Sequence, residues 1–260
     1  MPIACLPWYA LPETEPAQDE LWGVIARHLK RAGVEAPERL ARNVPVPGVF
    51  CDPDLLLAQC CGYDVVYGFA ASLTLVATPS YAAPGCHESN YRSYVLVRDD
   101  NEARGLPDLR DAVCAINSFN SHSGANALRA MVAPFAAEGR FFSRVIVTGA
   151  HLTSLACIES GEADVMAMDC VLHALLQRHR PAALAGTRIL AVTATAPAPP
   201  LVTSASAGAD RLALIREALL IDGVEVLPLR SYQRVVEIEA EALRSGYFEL
   251  HATSSALAKG

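Results

Sequence analysis

The strongest chemical signal in the chain is a loop of small polar residues from Asn117 to Gly124, which reads NSFNSHSG. Ser121 and Ser123 supply two hydroxyl donors, and Gly124 stands where the next predicted helix begins. The first turn of a helix has free backbone N–H groups, which bind oxyanions without a fixed cation. Because serine is also a common helix-capping residue, the loop predicts either an oxyanion site or a plain cap.

Two further polar residues, His151 and Asp169, directly follow other predicted strands. His151 could donate to a ligand oxygen or form a hydrogen bond within its own loop. Asp169 could accept a proton from a protonated oxyanion or pair with a ligand ammonium group, and its alternative role is to cap the next helix. Because the carboxyl ends of parallel strands open on one edge of a sheet, we expect both residues to lie beside the 117–124 loop.

Three tyrosines and one serine complete the candidate ligand contacts. Tyr9 and Tyr67 stand at the ends of predicted strands, and Tyr91 and Ser93 stand on a predicted crossover between lobes. Each tyrosine is a weak indication by itself, since tyrosines are common in cores and interfaces. Their shared placement at strand ends is what makes them candidates.

Motifs of known enzyme classes are not found in the sequence. It holds no G-x-S-x-G, H-E-x-x-H or phosphate-binding P-loop, and no G-x-G-x-x-G before a helix. Asp169 and Cys170 with His151 or His173 could be drawn as a base and a nucleophile, but nothing orders them, and Cys170 is expected to pack inside its helix. We therefore predict binding without catalysis, with no cofactor and no metal.

The composition describes a globular chain with a large core. Of the 260 residues, 52% are hydrophobic and 19% are charged, which suits one large domain or two lobes. The net charge of −7, without any basic run, argues against nucleic-acid binding. The net charge does not exclude an anionic ligand, because the charge that a pocket binds depends on the hydrogen-bond donors close to it. We expect no membrane insertion, since no apolar stretch approaches about 20 residues.

Cysteine usage and the start of the chain bear on location. The eight cysteines form no C-x-x-C pair and no zinc-like spacing with histidine, so we expect mostly buried thiols and a reducing compartment. Residues 1–9 lack the basic and apolar regions of a secretory signal. Both features favour a cytoplasmic location for the sequence as given.

Strands and helices are predicted to alternate, which indicates an α/β fold with a mostly parallel sheet. The predicted strands are 3–9, 64–67, 91–98, 111–117, 145–148, 164–168, 187–195 and 224–227, with the chain crossing back at 201–204. The predicted helices are 17–32, 53–61, 123–137, 152–160, 171–179, 209–220 and 235–244. The clearest part is the βαβαβα pattern between residues 111 and 179.

Several of these segments together resemble the phosphate/phosphite/phosphonate-binding family of ABC-transporter substrate-binding proteins. The resemblance rests on YRSYVLV at 91–97, the 117–124 loop with Asn126, TGAH at 148–151, SGEADV at 160–165, and Asp169. It covers most of the chain and is densest from 85 to 204. It implies a periplasmic-binding-protein type II fold, in which two α/β lobes joined by two crossover strands enclose a ligand cleft. The lobes would be 1–95 with 189–260, and 96–188.

The resemblance also implies a ligand, a partner and a set of contacts. The ligand would be a small oxyanion, either a phosphonate, phosphite or phosphate, and the partner would be an ABC-transporter permease in the periplasm. The implied contacts are Ser121, His122 and Ser123 as a clamping loop, Gly124 at the helix start, Tyr67, Tyr91 and Ser93 facing the cleft, His151 and Asp169 from the second lobe, and Tyr9 as a looser match. The segment 69–80 departs from the family's usual loop, and a cytoplasmic enzyme or sensor on the same fold remains the alternative.

Overall fold

Strands and helices alternate along the protein in the computed structural model, which describes residues 1–219 and 224–225. The strands are β1 Ile3–Cys5, β2 Leu55–Gln59, β3 Leu73–Pro79, β4 Asn90–Tyr91, β5 Ser93–Arg98, β6 Val113–Ile116, β7 Arg144–Val147, β8 Val165–Asp169, β9 Thr187–Val192, β10 Ala196–Pro197, β11 Leu201–Ser204 and β12 Val224–Glu225. The α-helices are α1 Glu15–Arg31, α2 Ala127–Val132, α3 His151–Glu159, α4 Cys170–His179 and α5 Gly208–Ala218. The predicted helix 235–244 lies outside the described residues.

The described chain divides into two compact units. The first unit contains Met1–Tyr91 and the described residues from Ala196 onward, and the second contains Arg92–Thr195. The boundaries between these two units lie outside strands β5 and β9. Lobe boundaries at 95/96 and 188/189 would divide both strands. The limits drawn from the sequence therefore stay a prediction about lobes.

The first unit is built on a five-stranded sheet in the order β1-β2-β11-β3-β12. Strands β1 and β2 are parallel, while β11 runs antiparallel to both β2 and β3. Helix α1 packs on this sheet because Trp22, Ile25 and Leu29 recur at helical spacing and are all buried. They pack in one core with residues of β2 and β3 and with Ile215 of α5.

Four predictions in the first unit are wrong. The described sheet is not mostly parallel, since only β1 and β2 pair in that way, and β1 ends at Cys5, so Tyr9 does not stand at a strand end. Residues 53–61 are not a helix, because Leu55–Gln59 is a fully buried strand, and short apolar runs fit either structure. Residues 64–67 are not a strand, because Asp64–Gly68 is a single π-helical turn. The sheet position expected for 64–67 is taken by Leu73–Pro79, which pairs with β11 along four residues. Tyr67 therefore lies in a helical turn and not at a strand end.

The second unit is built on a five-stranded sheet in the order β7-β6-β8-β5-β9. Strand β6 is parallel to β7 and β8, and β5 is antiparallel to β8 and β9. One face is covered by the helix predicted for 123–137, which begins as a π-helical turn at His122–Asn126 and continues as α2. Leu128 and Val132 pack there with Val95, Val97 and Phe141.

Two general properties of the chain follow from the described residues. No helix within residues 1–219 combines the length and the apolar character that crossing a membrane requires. All eight cysteines lie in that range as free thiols, and six of them are buried. Burial raises the pKa of the Cys5 thiol to about 11, which keeps it protonated and unreactive.

Candidate ligand-binding site

One edge of the second unit's sheet gathers most of the predicted ligand contacts. The parallel strands β6, β7 and β8 end there, and they are followed by the 117–124 loop, His151 and Asp169. Because β5 is antiparallel to β8, its first residue lies at the same edge, where Ser93 stands directly opposite Asp169. Ser93 and Asp169 are both buried. His151 and Asp169 therefore lie at the same edge of the sheet as the 117–124 loop, as the sequence predicted.

The 117–124 loop ends in a tight turn that starts a helix. Ser121 has an extended backbone, and its Oγ accepts a hydrogen bond of 3.0 Å from the N–H of Gly124. The N–H of Asn126 bonds to the Ser121 carbonyl at 3.0 Å. Ser121 is therefore a helix cap, as one of its two predicted roles requires. A hydroxyl that accepts one bond can still donate its own hydrogen, so the cap leaves a donor available to a ligand.

Gly124 lies so close to two side chains that any larger residue would force them to move. A Cβ atom at this position would lie 2.0 Å from Oδ1 of Asn117 and 2.7 Å from Cε1 of His151. The side chains of Asn117 and His151 therefore both lie against the backbone of Gly124, at the start of the helix. The buried Oδ1 atom of Asn117 makes no hydrogen bond within the described residues. Sequence reasoning placed Asn117 in the loop but did not find this contact.

His151 links the loop to Asp169. Its Nε2 atom lies 3.2 Å from Oγ of Ser123 and 3.6 Å from Oδ2 of Asp169. Burial lowers the pKa of His151 below its ordinary value, and the Asp169 carboxylate and the Ala167 backbone oppose that shift only in part. The ring is therefore neutral at neutral pH, and its Nε2 atom contacts both the serine and the carboxylate.

Asp169 caps helix α4, which was the alternative to a ligand contact. Its Oδ1 atom accepts a bond of 2.8 Å from the N–H of Leu172, while Oδ2 faces His151. The residue is only 3% exposed. Asp169 therefore combines the capping role with a contact to His151.

The Ser123, His151 and Asp169 set differs from a catalytic triad. In a triad the serine and the carboxylate contact different ring nitrogens, so that the carboxylate orients the ring while the other nitrogen takes the serine proton. Here both oxygens lie near the same Nε2 atom. Cys170 is buried at the start of α4, where its N–H bonds to the carbonyl of Arg92. The arrangement can hold donors in place but does not activate a nucleophile.

The remaining predicted residues are His122 in the second unit and three tyrosines in the first unit. His122 is buried in the helical turn of the second unit. In the first unit, Tyr9 has a positive φ of 60° and its ring lies 5.4 Å edge-on from that of Tyr81. Tyr67 is 43% exposed in its turn, and Tyr91 is buried on β4 opposite Ala196.

Two polar clusters were missed by sequence reasoning. In the first unit, Nε2 of Gln59 donates to the hydroxyl of Tyr81 at 2.6 Å and to the Pro199 carbonyl at 3.1 Å. A polar residue at the end of an otherwise apolar strand was the available signal. In the second unit, buried Arg129 donates to Oδ1 of Asn126 at 3.3 Å, which fixes the amide that holds the 117–124 loop.

A match to a protein-family model identifies the family of this chain. The model described as "ABC transporter, phosphonate, periplasmic substrate-binding protein" matches residues 62–242. The chain belongs to this family. No curated protein matches the chain. The family consists of substrate-binding proteins of transporters, so the predictions of the family and of binding without catalysis are confirmed. Nothing in the match supports the alternative of an enzyme or a sensor.

Solved structures show the fold. PhnD1 from Prochlorococcus marinus in complex with methylphosphonate is 15% identical over 94% of this chain and 98% of its own, with a TM-score of 0.73. A binding protein component of an ABC phosphonate transporter from Pseudomonas aeruginosa is 13% identical over 96% and 91%, with a TM-score of 0.71. An ancestral arginine-binding protein reaches a TM-score of 0.54 at 14% identity over 85% of each chain. The predicted type II periplasmic-binding-protein fold is confirmed.

Proposed function

We propose that this family member binds a small phosphorus oxyanion, either a phosphonate, phosphite or phosphate, at the edge of the second unit's sheet. One observation carries the proposal. Ser121 caps the turn with its acceptor side while its hydroxyl hydrogen stays available, and Gly124 beside it has no room for a side chain. A bare, capped helix start of this kind is suited to bind an anion with backbone and hydroxyl donors.

The electrostatics of the edge favour a negative ligand without a fixed cation. The helical segment from His122, helix α3 and helix α4 all begin there. Helix amino ends carry partial positive charge, and their first N–H groups have no partner within the helix. Three such ends at one edge compensate for the net negative charge of the whole chain, because the field at a site depends on nearby groups.

The class of anion follows from the donor set and from the family. Hydroxyl and backbone donors around one turn suit a compact group with several oxygens, which a phosphonate or phosphate presents in a tetrahedral arrangement. The P. marinus protein of similar fold was solved with methylphosphonate, which supports this class. Ser93, His122, His151 and Asp169 belong to the proposed site in the second unit. Contacts from Tyr9, Tyr67 and Tyr91 stay predictions from the family resemblance.

The role in transport follows the family. We propose that the protein works in the periplasm and delivers its ligand to an ABC-transporter permease. The family description supports both statements. Deleting the gene in its host should abolish high-affinity uptake of whichever oxyanion the purified protein binds, whereas normal uptake would contradict the transport role.

A ligand panel tests the binding proposal. Methylphosphonate, phosphite, phosphate, sulfate and arginine are added separately to the purified protein, and thermal unfolding is followed. A ligand at about 100 times its Kd stabilises the folded state by about 2.7 kcal/mol, which is easily measured. We expect stabilisation by at least one phosphorus oxyanion and none by arginine. Stabilisation by arginine alone would contradict the proposal.

A further inference from the structure

The Nε2 atom of His151 lies near both a hydroxyl group and a carboxylate. It is 3.2 Å from Oγ of Ser123 and 3.6 Å from Oδ2 of Asp169. The side chains of His151 and Asp169 are 13% and 5% exposed. An anion that reaches Ser123 therefore comes close to a second, buried negative charge.

The charged and titratable groups around the ring are few. Asp169, at the end of β8, is the charged side chain that acts on His151, and the Ala167 carbonyl on the same strand acts in the same direction. His173 on α4 is half-buried and responds to the same carboxylate. From the helix at 122–126, Ser123 and Gly124 face the ring with neutral groups, and His122 is a further buried titratable side chain in that turn. Asp169 thus has no cationic partner among these groups while His151 is neutral.

Binding an anion beside Ser123 changes this balance. Two negative charges that both lie near one ring nitrogen repel each other strongly where water is excluded. A proton on the ring adds an attraction to each of them, and these attractions offset the repulsion. The burial that disfavours imidazolium in the free protein is then offset, because the imidazolium has two neighbours of opposite charge.

We propose that His151 makes this site selective for doubly charged oxyanions by taking up a proton when the ligand binds. The step is a simple protonation: one proton moves from solvent to the ring, and no covalent bond of the ligand changes. The inference rests on the proposed function above. It adds a specificity-determining role for His151 and a positioning role for Asp169, which acts on the ligand only through the ring.

The selectivity follows from Coulomb's law. The attraction between imidazolium and ligand scales with the ligand charge, so a doubly charged phosphonate gains about twice as much as a singly charged sulfonate at the same distance. A sulfonate therefore offsets less of the cost of a buried imidazolium. Methylphosphonate and methanesulfonate have nearly the same shape, and they provide a matched pair of probes that differ mainly in charge and protonation.

Ring titration tests the proton uptake directly. The histidine ring signals of the full chain are followed by NMR against pH, first alone and then saturated with methylphosphonate, and His151→Gln identifies the signal of His151. We expect the pKa of His151 to be higher in the complex than in the free protein. A ring that stays neutral in the complex over the same pH range would overturn the inference, even if the ligand binds tightly.

Calorimetry near neutral pH tests the selectivity with the two probes. We expect the wild-type protein to prefer methylphosphonate over methanesulfonate by at least about tenfold, or about 1.4 kcal/mol. His151→Gln keeps a hydrogen-bonding side chain that does not titrate, and it should lose most of that preference. An equal loss of affinity for both probes in the variant would overturn the specificity role. If the variant binds neither probe, the ring titration of the wild-type protein decides.

The outcomes also separate this inference from the proposed function. A wild-type protein that binds no phosphorus oxyanion contradicts the proposed function itself. A wild-type protein that binds methylphosphonate while His151 stays neutral contradicts only the proton uptake. Asp169→Asn is a further check, because removing the carboxylate should lower the pKa of His151 in both the free protein and the complex while Asn still caps α4.

Discussion

The side-chain oxygen of Asn117 occupies the space that a Cβ atom on Gly124 would need, at 2.0 Å from the ideal position of that atom. Asn117 is the first residue after β6, and Gly124 lies in the first helical turn after the loop. The two ends of the loop are therefore packed together. The N–H of Gly124 is bonded to Oγ of Ser121, and a side chain at this position would displace Asn117 from the start of the helix.

Gly124→Ala should therefore abolish tight oxyanion binding. The added methyl group must displace Asn117 and the His151 ring, and such overpacking typically costs about 1–3 kcal/mol of stability. We expect a lower unfolding free energy and an affinity for methylphosphonate reduced at least about tenfold, measured by denaturant unfolding and calorimetry.

Gly105→Ala is the matched control for this variant. Gly105 lies in the same unit, and the nearest atom to its added Cβ is 3.6 Å away on Pro107, an ordinary contact. Its affinity should stay at the wild-type value. Unchanged binding in Gly124→Ala would show that the close packing at this turn has no role in ligand recognition.

Ser121 allows the cap and the ligand donor to be tested separately. Ser121→Ala removes both and should cost about 1 kcal/mol of stability together with affinity. Ser121→Asp restores a strong cap but brings a negative charge to the anion site. We expect its unfolding free energy to match the wild-type protein while oxyanion binding is lost. Tight binding of an oxyanion by Ser121→Asp would exclude this turn as the site.

The lowered pKa values of His151 and His173 predict an acid-sensitive fold. Burial is the main cause that lowers the pKa of His151 and His173 from the ordinary value of 6.5. The unfolded chain therefore binds these protons more readily than the folded chain, so stability is complete above about pH 6.5 and falls as the pH drops below it. Urea unfolding between neutral and mildly acidic pH measures the slope.

His151→Gln should flatten this pH dependence, because the variant side chain takes up no proton. Stability of the ligand-free wild-type protein that rises on mild acidification would contradict the lowered pKa values.

Cysteine exposure predicts selective labelling. Cys51 is exposed, Cys86 is partly exposed, and the other six thiols are buried. Burial raises the pKa of Cys5, Cys60 and Cys114, which lowers their reactivity further. A thiol reagent should label Cys51 first in the native protein, and Cys51→Ser should remove this fast phase. Rapid labelling of all eight thiols without denaturant would contradict the described burial.

The sequence predicted the second unit better than the first. Between residues 111 and 179, apolar strands of four or five residues alternate with helices, and this local pattern determines both the elements and the edge where their loops meet. In the first unit, Leu55–Gln59 is apolar enough for a buried helix or a buried strand. The choice depends on pairing with β1 and β11, which are distant in sequence.

The site was predictable in its position but not in its contacts. The rule for parallel strands placed His151 and Asp169 beside the 117–124 loop, and the capping role of Ser121 follows from its residue type. The shared Nε2 contact of Ser123 and Asp169 depends on how three loops pack, which no local pattern encodes. Tyr67 was misplaced for a related reason, since its segment forms a helical turn once β3 takes the sheet position.

The binding of an oxyanion by the hydroxyl groups of Ser121 and Ser123 is tested by calorimetric titration. Methylphosphonate is titrated into the wild-type protein and into the Ser121→Ala/Ser123→Ala double variant. A hydrogen bond to a charged group contributes about 1.5–3 kcal/mol, so losing two should weaken binding at least about 100-fold. Circular dichroism should show that the variant is still folded. We expect saturable binding by the wild-type protein and little or none by the folded variant. Equal affinity for methylphosphonate in both proteins would show that these two serines do not bind the oxyanion.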